Sequence, residues 1–282
     1  MEKELLNIGC GDRFHNDWEN IDLIPFSTDV KKVDILKGLP YPDHSFRAVY
    51  SSHMLEHLDR NAANSFVREV FRILKRNGIF RVLVPDLEPM ARLYLEKLEE
   101  LKKGNSSAEQ DYDWIKLEMF DQMVRQKSGG HMWNFLMNKG IENRDFIRSR
   151  IGLEAEKIWN YQPLSQNKTK QKSPFPGRKL KLVKWLVKQI LGTNYLQYFE
   201  EGIFRNSGEI HRWMYDSFSL SRLLKQAGFE KTAVCQADQS MIPNFALYGL
   251  EIKGNKIAKP DSLCVETIKP GTLATTIHDH HS

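Results

Sequence analysis

A strand that breaks into a Gly-x-Gly turn near the start constrains this chain more than any other feature. Leu5-Leu6-Asn7-Ile8 runs straight into Gly9-Cys10-Gly11. Glycines there can take left-handed backbone angles and let main chain approach a ligand closely. The third glycine of the dinucleotide fingerprint is missing, because Phe14 stands in its place. The fold class therefore rests on the pattern of residues beyond the turn. Strand signals recur at 20–23, 33–35, 46–51 and 79–84. Between the last two, Phe66, Val70, Phe71 and Leu74 share one face of a helix over 62–76, which Asn77-Gly78 ends. Ile79 to Val84 reads as a central parallel strand, apolar on both faces. This alternation predicts an α/β fold with a doubly wound sheet.

The middle of the chain reads differently. Residues 87–214 show long helical stretches at 88–103, 109–127, 142–160 and 179–191, with no strand alternation. The α/β pattern returns with a helix over 217–227, closed by Gly228, and strands at 232–235 and 262–268. Residues 246–252 compete for the last strand. The expected organisation is a discontinuous α/β domain of 1–86 and 215–270 around a helical insertion, 87–214, that binds substrate as a lid. Residues 271–282 read as a flexible polar tail, despite His278, His280 and His281.

Composition narrows the partners. Hydrophobic residues make up 41% of 282, enough for a sizeable core. No apolar run is long enough to cross a bilayer, and the first residues do not resemble a secretory leader, so a cytoplasmic location is expected. Cys10, Cys235 and Cys264 are scattered, which suits a reducing compartment better than a disulfide framework or a zinc site. The net charge is +5, yet eight basic residues and no acid lie in 167–188. Those eight removed from 41 leave 33 basic against 36 acidic residues. The basicity is local, so no nucleic-acid partner is expected.

Two carboxylates extend the glycine turn into a ligand site. Asp22, ending the second strand, can accept hydrogen bonds from ribose hydroxyls, and Asp34, after the third, is placed for an adenine amino group. LNIGCG at 6–11, NIDL at 20–23, LPYPDHSFRAVYSSHMLEHL at 39–58 and FVREVFRILKRNGIFRVLVPDLE at 66–88 then come in order. SLSRLLKQAGF at 219–229 and SLCVETIKP at 262–270 close the series. Together they resemble the class I S-adenosylmethionine-dependent methyltransferases of the type 11 kind, over about the first 90 and last 70 residues. The resemblance implies a seven-stranded, mostly parallel, Rossmann-like sheet whose last strand is antiparallel. It implies S-adenosyl-L-methionine as cofactor, held by Gly9, Gly11, Asp22 and Asp34 with Cys10, Ser51 and Ser52 beside them. The activity it implies is methyl transfer, expected here to a hydroxyl of a small or medium acceptor such as a sugar, a glycan or a secondary metabolite. Cofactor binding without catalysis stays open as an alternative.

The sequence departs from that family at two points. Only ten residues separate Gly11 from Asp22, too few for the usual crossover helix. Amides of residues 9–12, with Arg13 as countercharge, are expected to form an anion nest instead. Arg47 stands where the family often has Asp.

His53-Met-Leu-Glu56-His57 also matches the H-x-x-E-H metallopeptidase signature, which needs a helix and a third ligand. Some quinone O-methyltransferases carry E-x-x-E-H there and bind a divalent metal, so metal-assisted transfer is a further alternative. The expectation is packing or substrate contact, with no metal. Ser52, His53, Pro85 and Asp86 should border the acceptor at the carboxyl ends of the strands. His211, then His131, then His53 are the candidate bases, since an imidazole titrates near working pH. Residues 178–191, last, form a helix with Leu180, Val183, Leu186, Val187, Ile190 and Leu191 on one side and Lys181, Lys184 and Lys188 on another. It reads as a lid helix with a solvated basic face, or as a weak contact to a membrane surface or an anionic acceptor.

Overall fold

Four short parallel strands carry the glycine turn and both carboxylates to one edge of a sheet. A computed structural model describes residues 3–160 and 177–271. Strands β1 (Leu5–Ile8), β2 (Glu19–Asp22), β3 (Lys31–Lys32) and β4 (Phe46–Ser52) are followed by helix α1 (Arg60–Ile73) and strand β5 (Leu74–Pro85). Helices α2 (Leu87–Lys102), α3 (Glu109–Val124), α4 (Gly130–Leu136), α5 (Arg144–Ile151), α6 (Leu153–Trp159), α7 (Gly177–Leu191) and α8 (Thr193–Arg205) come next. Then α9 (Ser217–Gln226), β6 (Glu230–Val234) and β7 (Ser262–Ile268) complete the order. The seven strands line up as β3-β2-β1-β4-β5-β7-β6. All contacts among the first five are parallel, and β7 runs antiparallel to both β5 and β6.

The two faces of the sheet are covered by different means. On one, α1 and α9 bring Phe66, Val67, Val70, Leu220 and Leu224 onto Leu6, Ile8, Val49, Phe80 and Val82. Burying side chains of this size stabilises by roughly 1.5–3 kcal/mol each. On the other face the cover is irregular: Trp18 from the β1–β2 connection, and Ile242, Phe245 and Leu250 from the segment between β6 and β7, pack on Tyr50 and Leu83. No helix forms between β1 and β2, as the short spacing requires. β5 is not apolar on both faces, because Arg81 projects into this second layer. There it is fully buried and bonded to Glu251 (2.5 and 2.6 Å) and Glu266 (2.8 Å). A buried guanidinium is tolerable only with such partners.

Several boundaries move for identifiable reasons. α1 ends at Ile73, because Leu74 pairs with Phe46 in the sheet. Lys269 donates to the carbonyls of Phe71 (2.6 Å) and Leu74 (2.8 Å), satisfying orphan acceptors at the helix end. The third strand lies at 31–32, and residues 35–37 form a 3-10 turn capped by Asp34. The helix expected over 142–160 is two helices. Gly152 separates them at φ +55°, where a Cβ would meet the carbonyls of Ile257 and Ala258 at 2.9 Å. Residues 245–248 form a 3-10 turn, not a strand. Helix α8 has no counterpart in the sequence reading. Among the described residues of 87–214 the regular elements are helices, and Trp114, Ile115, Leu136, Ile147 and Ile151 form a core of their own. The thiols of Cys235 and Cys264, far apart in sequence, lie 3.1 Å apart as free cysteines.

Candidate active site

Three cavities meet at the carboxyl ends of β1, β2 and β4. The first, about 480 Å³, lies between Asp22, Asp34 and the loop carrying Met54 and His57. The second, about 210 Å³, is bordered by Gly9, Cys10, Gly11, Arg13, Ser52 and His53. The third, about 510 Å³, sits under the helical insertion and is walled by Glu56, His57, His211, Pro85, Glu118 and Asp261. His53 borders all three.

The glycine turn is built for close approach. Gly9 has φ +67°, and a Cβ there would meet Met54 Cγ at 2.7 Å. Its amides, however, are used inside the protein. Gly9 N and Cys10 N donate to Ile21 O (2.9 and 3.3 Å), and Gly11 N donates to Asp22 Oδ2 (2.9 Å). Three of the four amides of the anion nest expected from residues 9–12 are therefore already engaged within the protein. The positive charge at this end comes from side chains: Arg13, Lys157 and Lys259 all border the second cavity. Sequence reading found Arg13 alone, since Lys157 arrives from α6 and Lys259 from the segment before β7.

Asp22 sits at the mouth of the first cavity. Its other oxygen accepts from Ile24 N (2.8 Å), which leaves lone pairs for a ligand. Asp34 also borders this cavity while capping the 3-10 turn through Leu36 N (3.2 Å). Of the two serines, Ser52 borders the second cavity. Ser51 is fully buried between β1 and β5, its hydroxyl has no hydrogen-bond partner, and it borders none of the three.

The third cavity is dominated by buried titratable groups. Glu56 is wholly buried, and neither carboxylate oxygen makes a hydrogen bond. Oε1 lies 3.3 Å from His53 Nδ1 and 3.9 Å from His211 Nε2. Burial, only partly offset by the positive charge of Lys259, pushes its carboxyl up to about 8. The same burial lowers the imidazoles: His57 to about 4, His211 to about 2, and His53 well below its ordinary value. His57 Nδ1 lies 3.0 Å from Ile210 O, and its ring meets that of His211 edge-on at 4.8 Å. His53 Nε2 lies 2.7 Å from Ser262 Oγ, and its backbone is left-handed at φ +51°. Glu118, bonded to Arg150 (2.9 Å), is raised to about 7 by burial.

The chain re-enters the sheet beside this cluster. Asp86 and Tyr215 form an isolated parallel bridge, and the amides of Arg212 and Trp213 donate to Glu56 O (2.7 and 3.2 Å). His211 thus reaches the cavity from a position far along the chain. His131 does not. It is exposed at the start of α4, where its amide bonds Asp121 (2.8 Å), and it borders none of the three cavities. Asp86 caps α2 through Glu88 N (3.2 Å) and does not border the third cavity. Sequence reading gave Glu56 a part only in the metal-dependent alternatives, and not as the centre of this cluster. One ligand atom each from Glu56, His57 and His211 can be chosen so that all lie within 4.8 Å of one another, the arrangement a divalent metal would need.

Residues 14–82 match the family described as a methyltransferase domain. Among curated proteins nothing matches the chain. The matches to solved structures are at low identity. A S-adenosylmethionine-dependent methyltransferase of Thermotoga maritima, described as a possible histamine N-methyltransferase, is 12% identical over 95% of this chain and 83% of its own, with a TM-score of 0.38. A S-adenosylmethionine-dependent methyltransferase of Archaeoglobus fulgidus is 11% identical over 94% and 85%, with a TM-score of 0.36. The cyclase SpnF is 24% identical over 28% of this chain, with a TM-score of 0.24, and the match spans only 38% of its length. The methyltransferase-domain match covers β2, β3, β4 and α1 of a sheet with this strand order, and the methyltransferase reading rests on it.

Proposed function

We propose that this protein transfers the methyl group of S-adenosylmethionine to a hydroxyl of a small or medium polar acceptor, such as a sugar, a glycan or a secondary metabolite. The observation that carries the reading is His53, the one residue among those described that borders all three cavities. A donor bound across the first two and an acceptor in the third would meet there. The cofactor, when bound, supplies a methyl group already activated on sulfonium. Asp22 and Asp34 hold its nucleoside end, and Arg13 and Lys259 balance its carboxylate. The insertion 87–214 acts as the substrate lid: it walls the acceptor cavity, excludes water and aligns the hydroxyl.

In this reading Glu56 takes the hydroxyl proton. His211 and His53 are held too weakly basic for that task, whereas Glu56 titrates near 8 and faces the acceptor cavity. His211 and His53 then position the carboxylate. The test is turnover of S-adenosylmethionine by the purified protein with a panel of polyhydroxyl acceptors, measured against pH. Turnover should rise through about pH 8. Tight cofactor binding with no turnover on any acceptor would leave cofactor binding alone as the function.

A second reading is favoured by the Glu56–His57–His211 cluster, whose donor set of two imidazoles and a carboxylate suits zinc. A metal held there would polarise the acceptor oxygen, and Glu56 would be a ligand instead of a base. Chelation that abolishes turnover, with rescue by zinc, is the outcome expected of this reading. Turnover unaffected by chelation excludes it.

A further inference from the structure

We infer that the α7–α8 hairpin docks the protein onto an anionic lipid surface. The hairpin turns at Gly192, and none of its described side chains is buried. Leu180, Lys184 and Val187 form the half-covered side of α7. The opposite side carries a stripe of open apolar groups at helical spacing: Leu182 (58% exposed), Leu186 (38%) and Ile190 (74%), with Val183 and Trp185 beside them. A monomer in water has no reason to hold such a stripe open at every turn.

Charge selects the occupant. α7 contains five basic residues and no acid. Lys184 is held by Glu200 of α8 (2.8 Å), while Lys181 and Lys188 stand exposed together on one flank of the stripe. A second copy laid on this face would set lysines against lysines. Acidic headgroups complement them, while the apolar stripe enters the boundary between headgroup and acyl chain. Tyr195 and Tyr198 of α8, exposed by 56% and 67%, add rings with an apolar body and a polar tip, which suit that boundary. No described helix is long and apolar enough to cross a membrane, so the hairpin lies on the surface instead of spanning it.

The full chain should co-sediment with vesicles containing phosphatidylglycerol and stay in solution with pure phosphatidylcholine. The Lys181→Gln, Lys188→Gln double variant should weaken partition about 25-fold, about fivefold for each lysine. Ile190→Ser should weaken it by about tenfold. All three positions are exposed and leave the core untouched. Failure to bind anionic vesicles, equal binding to neutral ones, or binding that survives both variants overturns the inference. So does a concentration-dependent dimer that Ile190→Ser dissolves, which would assign the face to a second copy.

Discussion

The proposed cofactor cleft and the proposed acceptor cavity touch at His53 but are built on opposite principles. The two carboxylates of the cleft stand on turns close together in sequence, are partly exposed, and each does local work. Asp22 closes the glycine turn, and Asp34 caps a 3-10 turn. The acceptor cavity is made of side chains from distant segments. Its carboxylates and imidazoles are buried, and several polar atoms of Glu56 and His211 lack partners. A half that must admit any molecule of one cofactor can be satisfied by its own chain. A half that must act on one acceptor keeps unmet polar groups for it, at a cost of about 1–3 kcal/mol per buried orphan.

The largest test of that contrast lies in the acceptor half. Glu56→Gln should lower turnover by roughly 10²–10⁴-fold and leave the cofactor dissociation constant in calorimetry unchanged. Retained turnover would remove Glu56 from the chemistry. The converse belongs to the cleft: Asp22→Ala should weaken S-adenosylmethionine by roughly 1.5–3 kcal/mol for each charge-assisted hydrogen bond lost. An unaltered affinity would place the ribose contact elsewhere.

A smaller effect concerns stability against pH in metal-free protein. His57 and His211 are depressed in the fold, so their contribution is present above the unfolded value of about 6.5 and is lost as pH falls toward 4 and below. Glu56 is raised, so its contribution is complete below its unfolded value and disappears as pH rises through about 8. Denaturant midpoints should decline on both sides of near-neutral pH. His211→Asn should flatten the acid limb and Glu56→Gln the alkaline one, and limbs insensitive to both would contradict the assignment. The smallest expected effect is a control: His131→Ala, exposed and away from the cavities, should alter stability by less than about 0.5 kcal/mol and turnover not at all.

The same contrast explains what could be read from the chain. The alternation of strands and helices, and the placing of Gly9 and Asp22 at strand ends, were legible because strand, turn and carboxylate are neighbours and their periodicities are local, whereas the strand order was not. The irregular cover over the second face was not, since the partners of Arg81 lie some 170 and 185 residues away, at Glu251 and Glu266. Nor was the pairing of Cys235 with Cys264, which depends on β7 lying beside β6. In the acceptor half, histidine drew attention for its ordinary basicity. Burial reverses that property, making the imidazoles weak bases and the adjacent carboxyl the group that titrates near neutrality. That reversal depends on tertiary packing, and the motif around Glu56 carries no trace of it.

The return of the chain from α8 to the sheet has a kinetic meaning. Asn206, Gly208 and Arg212 border the cleft with Asp22 and Asp34, while Gly208, Glu209 and His211 border the acceptor cavity. One strap of main chain therefore serves as a wall to both chambers. A ligand that presses on one side of the strap changes the other, so donor and acceptor occupancy should be linked. Linkage of this kind is reciprocal: the factor by which bound cofactor alters acceptor affinity must equal the factor by which bound acceptor alters cofactor affinity. In steady-state terms the apparent KM for one substrate should depend on the concentration of the other.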